Sequence, residues 1–461
     1  MSRKLIALGV LLCTTCGGNS AATPDGLVQV SAASPFPAGC ASVAGAGVLY
    51  PNSGVEPSLA INPLNPDNLI AVWQQDRWSN GGAKGIVTAA SFDAGHSWTR
   101  ATASFTQCAG GAFERGSDPW VSFAPDGTAW QIALVFDQSQ ANRGVLVASS
   151  GDGGRTWNAP ITLAHDTDPD LAVDKETVTA DPLDPSRVYA VWDRVDHFTL
   201  QNSPLSHGPA FFTRTIDGGR NWDPPRIIED PGADAQTIAN QIAVLPDGTL
   251  LDLLMIITAN STQNPNYFVD VMRSVDQGVN WSAPIQIATV DVTEVNSKVA
   301  NRFVRDGNVV PSIAVDASVG RAFVAWQDGT SIVLSSSDDS GQSWSRAVKV
   351  NQSDAAAFTP NVAVAPGRVA VSFIDLRHDN PVDMEHLMAT NWIAISEDGG
   401  QTWKETQISP DYDLENAPYA DGFFVGDYQA LVPSGTAFLP LFAMVNGGST
   451  DVFFRPALLS Q

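Results

Sequence analysis

Apolar residues along this chain fall in short runs bounded by Gly, Pro, Asp and Ser, the pattern of strands joined by tight turns. The first set is 57–62 and 69–74, followed by 85–91. Comparable pairs recur at 120–124 with 129–136, 177–180 with 188–192, and 241–245 with 250–257. Two more lie at 312–315 with 322–326 and at 361–364 with 369–374. Turn sequences such as Pro125-Asp126-Gly127 and Pro246-Asp247-Gly248 separate the partners.

Each set is followed by Ser/Thr-x-Asp-x-Gly-x-x-Trp, which occurs six times. The copies are Ser91, Asp93, Gly95, Trp98; Ser150, Asp152, Gly154, Trp157; and Thr215, Asp217, Gly219, Trp222. Then come Ser274, Asp276, Gly278, Trp281; Ser337, Asp339, Gly341, Trp344; and Ser396, Asp398, Gly400, Trp403. From Asp to Asp the steps are 59, 65, 59, 63 and 59 residues, a regularity that chance does not produce. In such a turn Asp accepts hydrogen bonds from its own loop, Gly supplies positive φ, and Trp packs the returning strand. The six Asp are therefore read as structural.

Four antiparallel strands repeated at about 60 residues predict an all-β propeller. Runs at 425–432, 436–445 and 451–457 add three strands without a box, and 27–33 offers a fourth. The expectation is a seven-bladed β-propeller, six boxed blades plus one shared by the two ends of the chain. Six blades is the alternative. The whole mature chain, 23–461, then forms one domain.

Composition narrows the function. With 49 Asp+Glu against 25 Lys+Arg, a net charge of -24 and no basic block, the chain lacks the positive footprint that nucleic acid or an anionic membrane surface requires. Arg3 and Lys4, then the apolar run 5–12 and Ser20-Ala21-Ala22, read as a signal peptide covering 1–22. Cys16 followed by Gly17, Gly18 and Asn19 leaves a lipoprotein signal as the competing reading. No apolar run reaches the length of a spanning helix. An exported chain, in the medium, the periplasm or at the cell surface, is expected, and a monomer. Cys40 and Cys108 remain after the leader and predict one disulfide, with two separate thiols as the alternative.

The six boxes resemble those of the sialidase-like, Asp-box (BNR-repeat) propellers. The strings 114–120 (Glu-Arg-Gly-Ser-Asp-Pro-Trp), 174–176 (Asp-Lys-Glu) and 424–429 (Phe-Val-Gly-Asp-Tyr-Gln) are similar to bacterial exported proteins identified by likeness as exo-α-sialidases. That resemblance implies an exo-acting glycoside hydrolase on terminal acidic sugars, with a glycan or polysaccharide as partner and no cofactor. In sialidases three arginines hold the substrate carboxylate, a Tyr–Glu pair supplies the nucleophile and an Asp the acid/base. The Arg-Ile-Pro motif of that family is missing here, Arg226-Ile227-Ile228 being the nearest string. A polysaccharide lyase on uronic acids, using His378 or His386, and a non-catalytic binding propeller are the alternatives.

Candidate chemistry lies where loops crowd one mouth of the ring. Three second strands end in Asp76-Arg77, Asp193-Arg194 and Asp375-Leu376-Arg377, so Arg77, Arg194 and Arg377 are the expected carboxylate clamp, or each braces its neighbouring Asp. Entries to the innermost strands bring Glu56, Asp118, the 174–176 run and Asp427-Tyr428. Tyr428 with Glu176 is the candidate nucleophile pair and Asp118 the candidate acid. Asp166, Asp168 and Asp170 suggest a structural calcium loop without a complete ligand motif.

Overall fold

The paired apolar runs from 57 to 374 become strands, because alternating side chains can then be buried between neighbouring sheets while Gly- and Asp-rich turns reverse the chain. The computed structural model describes residues 26–41, 47–139, 142–196, 207–259, 265–299 and 301–456. Within these the chain is all-β apart from two single turns of 3-10 helix, Gln107–Ala109 and Leu414–Asn416. The leader expected at 1–22, Cys16 included, lies outside the described residues. Among the described residues no helix is long and apolar enough to cross a membrane.

Strands follow one another as antiparallel four-strand meanders. The first is Leu49–Asn62, Asn65–Trp78, Ala83–Ser91 and Thr99–Ala101. The second, opening with Arg115–Phe123, joins it through the single pair Ala83 and Gly116. Further meanders open with Leu171–Ala180, Ala235–Val244, Ser312–Asp316 and Ala357–Ala365. The last comprises Ala430–Ser434, Ala437–Asn446 and Ser449–Phe454, and is completed by the N-terminal strand Val28–Gln29, whose residues pair with Phe454 and Phe453. Opening strands lie beside one another in chain order, and Ala430–Ser434 returns to Leu49–Asn62. The fold is thus propeller-like.

All six boxes make the same bonds. In the first, Ser91 Oγ donates to Asp93 Oδ1 (2.8 Å) and accepts from Gly95 N (2.8 Å), while Ser97 donates to Asp93 from its amide (2.9 Å) and hydroxyl (2.6 Å). The residue before Trp repeats this role as Thr156, Asn221, Asn280, Ser343 and Thr402. The box Gly also abuts the preceding meander. Gly154 meets Ile70, Gly219 Trp130, Gly278 Phe212, Gly341 Leu251 and Gly400 Leu334, and Gly95 of the first box meets Phe454 of the last meander. The motif is therefore a joint between neighbours as well as a turn.

Cys40 and Cys108 form a disulfide, 68 residues apart in sequence. It ties the N-terminal segment to the loop after the first box, where Lys84 Nζ also donates to the carbonyls of Pro37 (3.3 Å) and Ala38 (3.1 Å).

Candidate active site

The opening strands share an irregularity. Five of them share one register slip, between 55 and 58, 117 and 120, 174 and 177, 238 and 241, and 358 and 361, and the first strand slips at two further places. Each shared slip carries a residue at positive φ: Glu56 (52°), Asp118 (48°), Lys175 (47°), Ala239 (63°) and Thr359 (54°). Such bulges turn a side chain out of the pleat. Here they aim Glu56, Asp118 and Lys175 at one point. Lys175 Nζ lies 3.2 Å from Glu56 Oε1, 2.6 Å from Asp118 Oδ1 and 2.7 Å from Asp427 Oδ2.

Asp427 arrives from the segment before Ala430–Ser434, where strand structure was expected from 425. The chain instead passes tightly over the first meander: a Cβ on Gly426 would sit 2.8 Å from Glu56 N. A second crossing brings Arg305, whose guanidinium forks onto both oxygens of Asp427. Only Gly fits at 307, since a Cβ there would meet Asp427 O at 2.3 Å. Gln74 completes the cluster by donating to Glu56 Oε2.

Burial raises the Glu56 pKa to about 8, with Asp118 adding to the shift. Burial and then Asp118 likewise raise half-buried Asp174 to about 6. Burial works against the charge of Lys175, yet Asp118, Asp427 and Glu56 outweigh it and hold the ammonium well above its usual pKa. For Asp427 burial is overcome by Arg305 and Lys175, which hold the carboxylate below its normal range. The site thus pairs an acid protonated near neutrality, Glu56, with an ionised carboxylate, Asp427, the division of labour that acid–base chemistry needs.

Above the cluster opens a cavity of about 440 Å³ lined by Arg77, Arg143, Arg305, Asp118 and Asp174, among others. Arg77 donates from Nη1 to Gly82 O (2.8 Å), but its buried Nε has no partner. Arg143 is buried with Nε and Nη2 both unpartnered. Both side chains line the cavity, and a guanidinium there is suited to a bound carboxylate.

Residues 211–420 match the family model described as a BNR repeat-like domain. The repeats are of the BNR, or Asp-box, type. No curated protein sequence matches the chain. Among solved structures, an α-L-arabinanase from Penicillium chrysogenum, complexed with arabinobiose, is similar over 75% of this chain and 92% of its own, at 15% identity and a TM-score of 0.50. A protein of unknown function from Dyadobacter fermentans is similar over 93% and 98%, at 13% identity and a TM-score of 0.47. The Trypanosoma rangeli sialidase with 2,3-difluorosialic acid is similar over 77% and 55%, at 14% identity and a TM-score of 0.43. At 15% identity the likeness to the arabinanase is one of fold.

The BNR framework brings only part of the expected constellation together. Asp118, Glu176 and Tyr428 line one small cavity, of about 30 Å³, together with Lys175. There the Tyr428 hydroxyl donates to Pro119 O (3.0 Å), and Glu176 Oε1 accepts from the Leu134 amide. Burial and then Glu56 raise the Tyr428 pKa well above normal. Arg77 reaches the main cavity, but Arg194 and Arg377 do not join it, which corrects the clamp expected from the three second-strand ends. Arg194 is held by Asp196 (2.9 Å), and Arg377 by Asp375 (2.6 Å) and Glu405 (2.6 Å), because each has an acid on its own meander within easier reach.

Arg305 and Arg143 are the gains, and Lys175, met in the sequence only as part of the 174–176 run, takes the central place. Arg305 sits at the entry to the fifth opening strand, where Asp306-Gly307 marks a turn ahead of Pro311. Arg143 starts a third strand and carries no distinguishing sequence signal. His378 and His386 pair with Asp411 (2.8 Å) and Asp383 (3.0 Å). In the 166–170 loop the Asp166 and Asp168 carboxylates accept from the amides of Asp168 and Asp170. Among the described residues no group of three or more His, Cys, Asp or Glu is arranged to hold a metal ion.

Proposed function

We propose that this protein is an exported glycoside hydrolase, a seven-bladed propeller formed by 23–461 after loss of a leader, which removes a carboxylate-bearing terminal sugar from a glycan. One observation carries the reading. Arg77, Arg143 and Arg305 line the same 440 Å³ cavity as Asp118 and Asp174. The guanidiniums would hold the sugar's carboxylate, leaving its anomeric carbon near the two acids. Asp174, protonated below about pH 6, would give its proton to the glycosidic oxygen as that bond breaks. Asp118, beside the Lys175 ammonium, would take a proton from the water that bonds to the anomeric carbon. The other route uses Tyr428 as nucleophile with Glu176 as its base, and needs the phenol to leave Pro119 O. The disulfide agrees with export, the BNR match with a propeller frame, and the fold likeness to an arabinanase with action on glycans.

Assay on chromogenic sialosides, uronides and arabinosides tests this. Acidic glycosides should be cleaved in preference to neutral ones. On a disaccharide, whose leaving group is poor, Asp118→Asn and Asp174→Asn should each lose at least about 100-fold in kcat, and proton NMR of the first-formed anomer separates the water route (inversion) from the tyrosine route (retention). Equal cleavage of neutral and acidic substrates would remove the acidic-sugar assignment. No cleavage of any of them would remove the hydrolase.

A further inference from the structure

A second cavity, of about 450 Å³, adjoins the arginine-lined one, and the two share Asp174, Arg305 and Asp421. Its lining differs in kind. Phe303, Ile238 and Val309 supply an apolar wall, and Glu294 and Asp421 stand at its edge with exposed carboxylates. Asp427 in its floor is already taken by Arg305 and Lys175, and Asp306 accepts from the Val295 amide (2.9 Å) and from Gln327 Nε2 (3.2 Å).

Phe303 is the observation that points to a ligand. It is 41% exposed, and it is the one aromatic among the large apolar side chains left exposed in the described residues. Its backbone is nevertheless pinned, for Phe423 N donates to Phe303 O (2.7 Å) and Arg305 N donates to Phe423 O (3.0 Å). The same backbone pairing that places Arg305 in the site therefore holds an aromatic ring open to water on the wall of the adjoining cavity. A large apolar ring kept in water at a concave polar site gains most when a flat partner covers it, and the C–H face of a sugar ring is such a partner.

Asp174 lies on the wall between the two cavities, so a bond protonated there has one sugar on each side. We infer that the second cavity is the leaving-group subsite and that it takes an uncharged sugar ring, stacked on Phe303, with hydroxyls donating to Glu294 and Asp421. A leaving sugar that carries its own carboxylate meets two exposed carboxylates and is refused. The substrate is then a glycan in which an acidic terminal sugar is joined to a neutral one. This inference rests on the hydrolase reading, and its test is arranged to fail separately.

The comparison is between a disaccharide with a neutral leaving sugar and the glycosyl fluoride of the same terminal sugar, whose leaving group is too small to reach Phe303. Phe303→Ala should lower kcat/KM on the disaccharide about tenfold relative to the fluoride, the loss expected for one stacking contact. Glu294→Lys should raise the rate on a disaccharide with a uronate leaving sugar relative to the neutral one. Equal effects of Phe303→Ala on both substrates, or a wild-type preference for the uronate leaving sugar, overturn the inference. If no glycoside is cleaved, the hydrolase reading has failed, and saturation-transfer NMR with a neutral trisaccharide and with trigalacturonate still tests the subsite. Binding of the neutral trisaccharide that disappears in Phe303→Ala supports it. Binding of trigalacturonate alone, binding unchanged by the substitution, or no binding of either sugar overturns it.

Discussion

Lys175 concentrates the electrostatics of the site in one atom, since its three N–H bonds go to Glu56, Asp118 and Asp427. Replacing it by Met leaves those carboxylates buried together without their shared cation. The expected result is a loss of roughly 3–5 kcal/mol in denaturant-monitored stability, together with lost activity. Asp174 gives a prediction of a different sign. Its pKa is raised to about 6, so the protonated fraction, and with it a rate that depends on donating that proton, falls as pH rises through 6. A kcat–pH profile on a substrate with a poor leaving group should show that limb in the native protein. Asp174→Asn should lack it, and should recover rate on an aryl leaving group that needs no proton. At this scale the sequence is informative about Glu56 and Asp118, which stand just ahead of the apolar runs at 57 and 120, and about Asp427 in the run at 425–432. It is silent about Arg143, because nothing local separates a third-strand arginine that faces a cavity from one that faces water.

The Asp box shows why elements repeat so faithfully. Its Asp and Ser/Thr bond only within the turn, so the motif can be read without knowing its neighbours. Its Gly is required for a second reason, visible only in the assembled molecule. At Gly219 φ is 82°, and a Cβ would lie 2.2 Å from the Trp130 ring of the preceding meander. Gly219→Ala should therefore cost about 1–3 kcal/mol, as a lower thermal midpoint, from backbone strain and from displacing that ring. The same substitution at Gly218, where φ is 72° but nothing lies within 4 Å, should cost less. Strand positions were legible from apolar runs, but their starts were not. Leu49–Asn62 and Leu171–Ala180 begin several residues before the runs at 57 and 177, because each strand continues through a bulge that interrupts the apolar pattern. Three of the five bulges are marked in the sequence by Pro57, Pro119 and Pro360, directly after the positive-φ residue. Lys175 has no such mark.

The whole molecule holds acids of two opposite kinds. Glu56 and Asp193, raised to about 8, and Asp174 and Asp270, raised to about 6, keep protons in the fold that the unfolded chain releases near pH 4. Their contribution is fully present below that pH and is lost as pH rises through 6 and then 8. The box residues Asp217, Asp276 and Asp339 lie at about 2, so theirs is present above pH 4 and lost as pH falls through 2. The thermal midpoint should therefore peak between about pH 4 and 6 and decline steadily toward pH 9, which calorimetry across pH measures directly. Reducing Cys40–Cys108 should lower the midpoint as well, through a stability loss of up to about 4 kcal/mol for a closed loop of this length.

The sequence by itself determined the repeat, its period, the turn chemistry and the all-β class, because those depend on residues within reach of one another along the chain. It also singled out Arg77, Asp118 and Asp427, since a repeat shows which positions open and close each strand. What it could not decide is which of several similar Asp–Arg strand ends turns inward. Arg194 and Arg377 look like Arg77 in sequence, yet each found an acid on its own meander, whereas Arg77 donates to a backbone carbonyl and keeps its Nε free. That choice depends on which charges converge from strands far apart in the chain, where burial makes an unpaired group costly and a shared partner decisive. Arg305 and the open ring of Phe303 belong to the same level, set by crossings between segments more than a hundred residues apart.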